Sequence, residues 1–472
     1  YEKLKSIDPY VMYNCVYNDT KKYTRMCNMT VYNMSGEYLR ETEGMIDTSD
    51  YFDKHWPWVL NRFDENGMFV CVDHAMLYDL TTRCQAAVML WYGYDGKYRE
   101  ELDNNLEKAG LMTLLMQSSA FQFPYGGRSN QYLFNEALVA SCCEYEAVRY
   151  NKKGNTILAG MFKRSAHMSA LSVLRWLNSM DPPKHNKNFF PHDSGFGIDG
   201  YGTYPRYMVA LANFIGYAYI FADDSIKEYP CPSEVGGYVF ETSKEFHKVF
   251  ANCCGNSIEI ELAADPKYDA TGMGRYHKAG IPVELGLSMP FASSHKYYLP
   301  DELAKRDISI CTGWKTSGNI IMYISYFKDK LQTKVNIIEQ NMNRVVFSVE
   351  YSGDEIKGCE KVVERFTLDN EGVLIESELV KAENNEIYFT VPLLLNNGRD
   401  ETGIKYSGEN TACISGCISV SMGDYFYSIS YSGKIEVDEN RYGNRNGIYK
   451  LAVISKNDTR LSVKLNLYKR SG

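Results

Sequence analysis

Three segments of this 472-residue chain gather side chains that could do chemistry. The first is Phe123-Pro124-Tyr125-Gly126-Gly127-Arg128-Ser129-Asn130, which leads into a helical pattern at Gln131 to Glu136. Its glycines let the backbone approach a ligand closely. Ser129 or Asn130 can cap the helix that follows, and Arg128 beside a helix N-terminus favours an anion. Asn135-Glu136 adds polar groups beyond what capping needs. The second segment, Pro191 to Tyr207, packs one His (His192), two Asp (Asp193, Asp199), four Gly, three Tyr (Tyr201, Tyr204, Tyr207) and Arg206 into 17 residues. Pro205 suits the first turn of a helix beginning there, and a loop at a helix start is a good carrier of reactive groups. The third, Ala264 to Lys278, presents Arg275, His277 and Lys278 after a strand. Its Gly-Met-Gly lies in no βαβ unit, so it is not a dinucleotide fingerprint. A fourth, weaker group is Asp73-His74 with Tyr78, Asp79 and Arg83. Asp79 and Arg83, four apart, read as a surface ion pair, with Arg83 also a candidate for binding substrate.

Arg, Asn, His and Tyr with a few carboxylates suit β-elimination at a uronic acid. The C5 proton is hard to remove until the neighbouring carboxylate is neutralised, which Arg, Asn or protonated His does through charge-assisted hydrogen bonds. A Tyr or His then takes the proton. A tyrosine of ordinary pKa, about 10, needs a cation such as Arg206 to serve as base, and a tyrosine can also protonate the leaving glycosidic oxygen. A glycoside hydrolase would instead need two carboxyl groups about 5–5.5 or 6.5–9.5 Å apart. Glu136, Asp193, Asp199 and Glu284 are available, with Glu136 and Asp199 the first choice of pair. A protein that only binds sugar could use the same Tyr and Arg without turnover.

Composition narrows the classes. Hydrophobic residues are 44% and charged residues 23%, ordinary for a globular protein, whereas 38 Tyr stand against 21 Phe and 5 Trp. Tyrosine combines an apolar face with a polar tip, which suits sugar rings. The net charge of −8 argues against a nucleic-acid partner. It also means that an anionic substrate needs its own local cations. No apolar run reaches the ~20 residues of a membrane span, so no membrane partner is expected. The 13 Cys, with neighbours Cys142-Cys143 and Cys253-Cys254, do not form a disulfide framework. Free thiols point to a reducing, cytoplasmic compartment, and a chain opening on Tyr1 is also compatible with a removed signal peptide. No CxxC or His pairing has zinc spacing, so neither a metal nor another cofactor is expected. His55, His167, His185, His247 and His295 have no reactive context and read as structural.

The elements that must position these groups change character along the chain. Up to about residue 250 the apolar spacing is helical: Leu77 to Trp91, Leu102 to Leu115, Leu133 to Glu144, Ile157 to Trp176 and Met208 to Phe221. Successive amphipathic helices with no strands between them suggest helical pairs in a ring or bundle. After about residue 255 the pattern alternates: Ser257 to Leu262, Ile320 to Phe327, Lys334 to Ile338, Val345 to Tyr351, Gly372 to Leu379 and Tyr425 to Tyr431. Turn signals such as Ser352-Gly353-Asp354, Asp369 to Gly372 and Asn396-Asn397-Gly398 separate the runs, predicting stacked antiparallel sheets. The expected class is α+β multidomain, with a helical domain over 1–250 and an antiparallel β-sandwich over 251–472, joined near 230–256.

A helical half followed by an antiparallel β half, with Asn130 at a helix start, a Tyr-rich loop and a histidine in the first β segment, resembles the polysaccharide lyases of the heparinase II/III, chondroitin AC and alginate oligo-lyase type. The resemblance covers nearly the whole chain as architecture and implies an (α/α) toroid joined to a β-sandwich. It implies an acidic oligosaccharide or polysaccharide as substrate, Asn130 as carboxylate neutraliser, Tyr201 or Tyr204 as catalytic tyrosine, and His277 as the β-domain histidine. Those families often carry an Asn-His pair. Here the stretch reads Arg128-Ser129-Asn130-Gln131, and His192 is the candidate to replace the missing histidine. Arg128, Arg206, Arg275, Tyr125, Glu136, Asp199 and Arg83 complete the expected binding set.

Overall fold

The computed structural model describes residues 1–12, 27–71, 74–265, 267–407 and 415–470. Asp73 and Pro266 of the segments above lie outside them. The first half is helical: two single turns (α1, Glu2–Lys5; α2, Pro9–Met12), then α3 (Asn28–Thr42), α4 (Ser49–Leu60), α5 (Met76–Trp91), α6 (Arg99–Met116), α7 (Leu133–Lys152), α8 (Thr156–Leu177), α9 (Tyr204–Phe221) and the short α10 (Pro232–Val235). Helix α7 is buried along almost its whole length and packs against α5, α6, α8 and α9. Small residues Ala137, Ala140, Ser141 and Ala147 let those neighbours approach it. No helix among the described residues is long and apolar enough to cross a membrane.

The second half is antiparallel sheet. Strands β1 (Tyr238–Glu241), β2 (Lys248–Cys253), β3 (Asn256–Glu261) and β4 (Gly272–Lys278) form a four-stranded meander. Strands β5 (Cys311–Lys315) and β6 (Ile321–Tyr323) follow, then β7 (Gln332–Asn341), β8 (Arg344–Ser352), β9 (Lys361–Asp369), β10 (Gly372–Val380), β11 (Ile387–Asn396), β12 (Gly403–Ser407), β13 (Ser415–Met422), β14 (Tyr425–Ser432), β15 (Lys434–Val437), β16 (Tyr442–Gly443), β17 (Ile448–Lys456) and β18 (Arg460–Lys469). An eight-stranded sheet runs β12-β13-β14-β18-β10-β9-β8-β7, and a second runs β15-β17-β11-β5-β6, with β16 beside β17. The inward residues of both, such as Phe347, Phe366, Ile375, Phe389, Val391 and Leu451, share one buried core. The helices and sheets thus make an α+β chain. The alternating run at 320–327 is a strand only to Tyr323, because a single 3-10 turn, Ile324–Tyr326, ends it.

The first sheet joins the halves. Val249, Ala251 and Cys253 of β2, with Ile258 and Ile260 of β3 and Met273 and Tyr276 of β4, belong to the β core. Phe250 belongs to the helical core. On the Phe250 face the register sets Phe250 opposite Glu259, Glu259 opposite Arg275, and Ser257 opposite His277. A strand with one apolar and one polar face ordinarily turns the polar face to water. Here that face is buried under the Ser118–Tyr125 loop, so its charges must pair with each other and with loop backbone. The first strand begins at Tyr238, so a boundary between 250 and 251 falls inside β2.

Candidate functional site

The 123–136 loop is held in uncommon backbone. Gly126 and Gly127 have φ of 141° and 69°, and Ser129 and Gln131 have φ of 60° and 63°. Left-handed non-glycine residues are uncommon and cluster at functional sites. A Cβ on Gly127 would stand 2.7 Å from the Ala75 Cβ, so this loop lies against the start of α5. Neither Ser129 nor Asn130 caps α7. Asn135 Oδ1 instead accepts from the Tyr132 amide at 3.1 Å, and Asn130 Nδ2 turns inward to donate to the Gly127 carbonyl. Ser129 is free for another task. Its Oγ lies 3.0 Å from the Tyr78 hydroxyl, 3.0 Å from that of Tyr201 and 2.9 Å from that of Tyr207. Arg128, half-buried, lies over the Tyr78 ring with its guanidinium 4.5 Å from the centroid. Burial raises all three phenols above the ordinary tyrosine value. These tyrosines are therefore acids and hydrogen-bond donors at neutral pH.

The second loop divides between this cluster and the interior. Asp199 is buried, accepting from Tyr132 Oη at 3.0 Å and from Arg445 Nη2 at 2.9 Å. Arg445 comes from the Asn444–Gly447 turn of the β half and donates also to the Gly197 carbonyl at 2.7 Å. Arg206, expected to activate a tyrosine, points to solvent and donates to the Tyr201 carbonyl at 3.0 Å, not to a phenol. Tyr204 packs edge-on between His185 and His192, away from the Ser129 cluster in its hydrogen bonding. His192 sits 2.9 Å from the Pro182 carbonyl. His185 lies 2.8 Å from the Gly202 carbonyl, and burial holds it neutral, with its pKa lowered to about 4.

Several expected site residues prove to hold the halves together. His277 is wholly buried, with Nδ1 at 3.0 Å from Ser118 Oγ and Nε2 at 3.0 Å from Ser288 Oγ. Burial, reinforced by Arg275, pushes its pKa well below the ordinary value. With both nitrogens bound to protein hydroxyls, it is a poor proton acceptor for any substrate. Arg275 spans the junction, donating to Phe123 O at 2.9 Å and Ser288 O at 3.0 Å and pairing with Glu259 at 3.1 Å. Tyr125 is fully covered, with Lys248 Nζ 3.7 Å from its ring centroid. A Cβ at Gly274 would overlap its hydroxyl, which is why glycine stands there. Glu136 accepts from Lys187 Nζ at 2.6 Å and from the Phe123 amide at 3.0 Å. Glu136 and Asp199, the carboxylate pair of the hydrolase alternative, are thus each locked to a buried cation. Arg83 and Asp79 are buried rather than on the surface. Arg83 Nη2 reaches Asp79 at 2.6 Å and Thr113 Oγ1 at 2.6 Å, and Asp79 also accepts from the Phe69 amide at 2.7 Å.

A cleft of about 920 Å³ opens beside the Arg128 loop, with Gly126, Gly127 and His74 on one wall and the ends of β2 and β3 on another. His247, in left-handed backbone at φ 43°, hydrogen-bonds through Nδ1 to Glu261. Lys248 Nζ lies 2.8 Å from the same carboxylate and 3.1 Å from Glu259. Burial works against a charged His247, yet Glu261 raises its pKa above the ordinary value. Burial likewise opposes a charged Glu261, but His247 and Lys248 hold its carboxyl below the usual range. Asp269 accepts from the Gly127 amide at 2.8 Å, and its second oxygen has no hydrogen-bond partner among the described residues. Burial raises Asp269, opposed by Lys248 and aided by Glu261. A histidine backed by a carboxylate, with its other nitrogen uncommitted, can take up or deliver a proton. Sequence reasoning set His247 aside, read Ser129 as a helix cap and Tyr78 as part of a weaker group, and passed over Arg445. One signal existed for the first: Glu259 and Glu261 alternate with isoleucines, so a buried polar face needed cations.

No known family and no curated protein matches the sequence. Among solved structures, the chain is similar to a heparinase III, with TM-score 0.35 and 9% identity over 89% of this chain and 63% of that one. It is similar to a chondroitin AC lyase variant from Streptomyces coelicolor, with TM-score 0.26 and 9% identity over 93% of this chain and 74% of that one. It is also similar to a galactose mutarotase-like protein from Clostridium acetobutylicum, with TM-score 0.31 and 7% identity over 50% of this chain and 99% of that one. The chain thus spans less than two thirds of the heparinase III. At such scores an overlay carries no activity across, and function must be argued from the residues.

Proposed function

We propose that this protein is a carbohydrate-active lyase that cleaves a uronic-acid-containing oligosaccharide or polysaccharide by β-elimination, with the helical half as its toroid. The observation that carries this reading is the Arg128 loop: it holds a cation and three tyrosine hydroxyls beside a cleft that also contains a carboxylate-backed histidine. β-Elimination needs a cation for the uronate carboxylate, a base for the C5 proton and an acid for the leaving oxygen. Arg128 supplies the cation. His247 in its neutral form takes the C5 proton, and Glu261 stabilises the imidazolium that results. The C5–H electron pair becomes the C4=C5 double bond, the C4–O bond breaks, and the Tyr201 hydroxyl protonates the departing oxygen. Burial favours this use of Tyr201, because it keeps the phenol protonated. Asn130 and Ser129 hold the loop and the tyrosines in register.

The test is incubation with a panel of uronic-acid oligosaccharides while near-ultraviolet absorbance is followed. The 4,5-unsaturated product absorbs there, and the signal is expected to grow for wild type and to be lost in His247→Ala and Arg128→Ala. New reducing ends without absorbance would sink the lyase reading in favour of hydrolysis. Binding without either would leave a carbohydrate-binding protein.

A further inference from the structure

A second cleft, of about 740 Å³, lies on another part of the junction and shares no lining residue with the first. Its walls are the C-terminal turns of α8, the Ser119–Gln122 loop, and β-half segments at 280–284, 399–401 and 422–425. Neither half forms it alone. We propose that this cleft binds a segment of an acidic saccharide chain, with Arg175 recognising the sugar carboxylate. In its choice of an acidic sugar the inference rests on the lyase reading; the cleft's sugar-binding form stands apart from it.

The volume falls within the range of ~300–1,000 Å³ typical of pockets that enclose a small ligand. One wall is a built stack. Trp176 and Phe189 lie 5.1 Å apart at 27°, and the Arg399 guanidinium sits 3.8 Å from the Phe189 centroid. Arg399 is fully engaged, since it also pairs with Asp400 at 3.0 Å, so it shapes the wall. Arg175, one helical turn beyond Leu171, is exposed, and its charge acts on the buried Glu284 across the cleft. Three carboxyl groups line the same cleft. Asp400 is held by Arg399, and Glu401 stands at the solvent rim. Glu284 is buried and accepts from Asn397 Nδ2 at 2.7 Å; burial raises its pKa, opposed by that hydrogen bond and by the charge of Arg175. An exposed guanidinium in such a setting matches a carboxylate in bidentate fashion.

The remaining lining suits a pyranose. Leu171 is 42% exposed and offers an apolar face for the ring. The Ser119 Oγ is buried and has no hydrogen-bond partner among the described residues, while Ser119 itself lines the cleft. An unpaired buried hydroxyl costs free energy that a ligand hydroxyl would recover. Phe121 is held at φ 58°, so this wall, like the Arg128 loop, keeps non-glycine residues in left-handed backbone.

Calorimetric titration tests the proposal, with oligosaccharides of polygalacturonate, alginate, hyaluronan and heparin as probes and maltotriose as the neutral control. At least one acidic probe is expected to bind, with affinity falling about tenfold or more in Arg175→Glu, in line with loss of a charge-assisted contact. Leu171→Ala should weaken the same probe. Both side chains point to solvent, so both variants should fold, which their circular dichroism checks. The titrations are run in the Arg128→Ala/His247→Ala background, which removes binding and turnover at the first cleft, so the Arg175→Glu and Leu171→Ala comparisons read this cleft alone. Arg175-dependent binding there, with turnover of no probe by wild type, would sink the lyase reading and leave this site standing. Binding of no probe, or equal binding by Arg175→Glu, would overturn the proposal.

Discussion

Glu136 was the leading carboxylate of the hydrolase alternative, and its surroundings make it a test of structural against chemical roles. Glu136→Ala removes the acceptor of Lys187 Nζ, 2.6 Å away, and that of the Phe123 amide, 3.0 Å away. Both side chains of the ion pair are only 1% exposed. Burial already lowers the pKa of Lys187, with Glu136 opposing that shift, so without Glu136 its charge has no compensation. Breaking one partner of such a pair costs about 3–5 kcal/mol, with the stranded amide inside that figure rather than added to it. At about 2–4 °C per kcal/mol for domains of this size, the apparent Tm should fall by roughly 6–20 °C. Replacing the pair together, Glu136→Leu with Lys187→Met, should restore most of the loss, because two well-packed apolar groups replace two desolvated charges. Differential scanning calorimetry gives the Tm, and the absorbance assay gives turnover on the same samples. The reasoning fails if Glu136→Ala melts with wild type but has lost turnover, since that is the behaviour of a reacting carboxylate. It fails equally if the double variant is no more stable than the single one.

Three further outcomes are expected. Ser129→Ala strips the common partner from the Tyr78, Tyr201 and Tyr207 hydroxyls and should lower the urea unfolding free energy by about 1–3 kcal/mol; an unchanged midpoint would mean that the three hydroxyls do not meet there. His247 has a raised folded pKa, so its contribution is complete below the unfolded value of about 6.5 and is lost as pH rises through the folded one. Wild type should therefore lose more Tm than His247→Gln over that interval, and parallel curves would contradict the pairing with Glu261. Arg206→Ala removes an exposed side chain that touches only a backbone carbonyl, so stability should change by less than about 0.5 kcal/mol and kcat/KM should stay near wild type. A large loss of turnover would return Arg206 to the site.

The elements were legible because their periods are clean. Leu133 to Glu144 lies in α7, Val345 to Tyr351 in β8, and Asp369 to Gly372 closes the β9–β10 hairpin. What the periods could not say was which faces meet. The alternation of Ser257 to Glu261 looks the same whether its polar face meets water or a loop, and here it meets the Ser118–Tyr125 loop. That difference turned Arg275 and His277 from reactive candidates into ties between the halves. The two glycine-bearing loops were visible as places, and Arg128 and Tyr201 do come together at one of them through Tyr78 and Ser129. The partner of Asp199 was hidden by distance, because Arg445 is 246 residues away. His247 was hidden by the opposite cause: nothing adjacent to it in sequence marks it, and its partner Glu261 is supplied by the next strand.

Elimination at a uronate in the cleft beside the Arg128 loop leaves a distinct isotopic signature in its products. Mass spectrometry of products formed in heavy-oxygen water measures it most directly. Elimination gives two products whose masses sum to that of the substrate, one of them dehydrated at its new non-reducing end, with no heavy oxygen in either. Products whose summed mass exceeds the substrate by one water, with the heavy isotope incorporated, would contradict it.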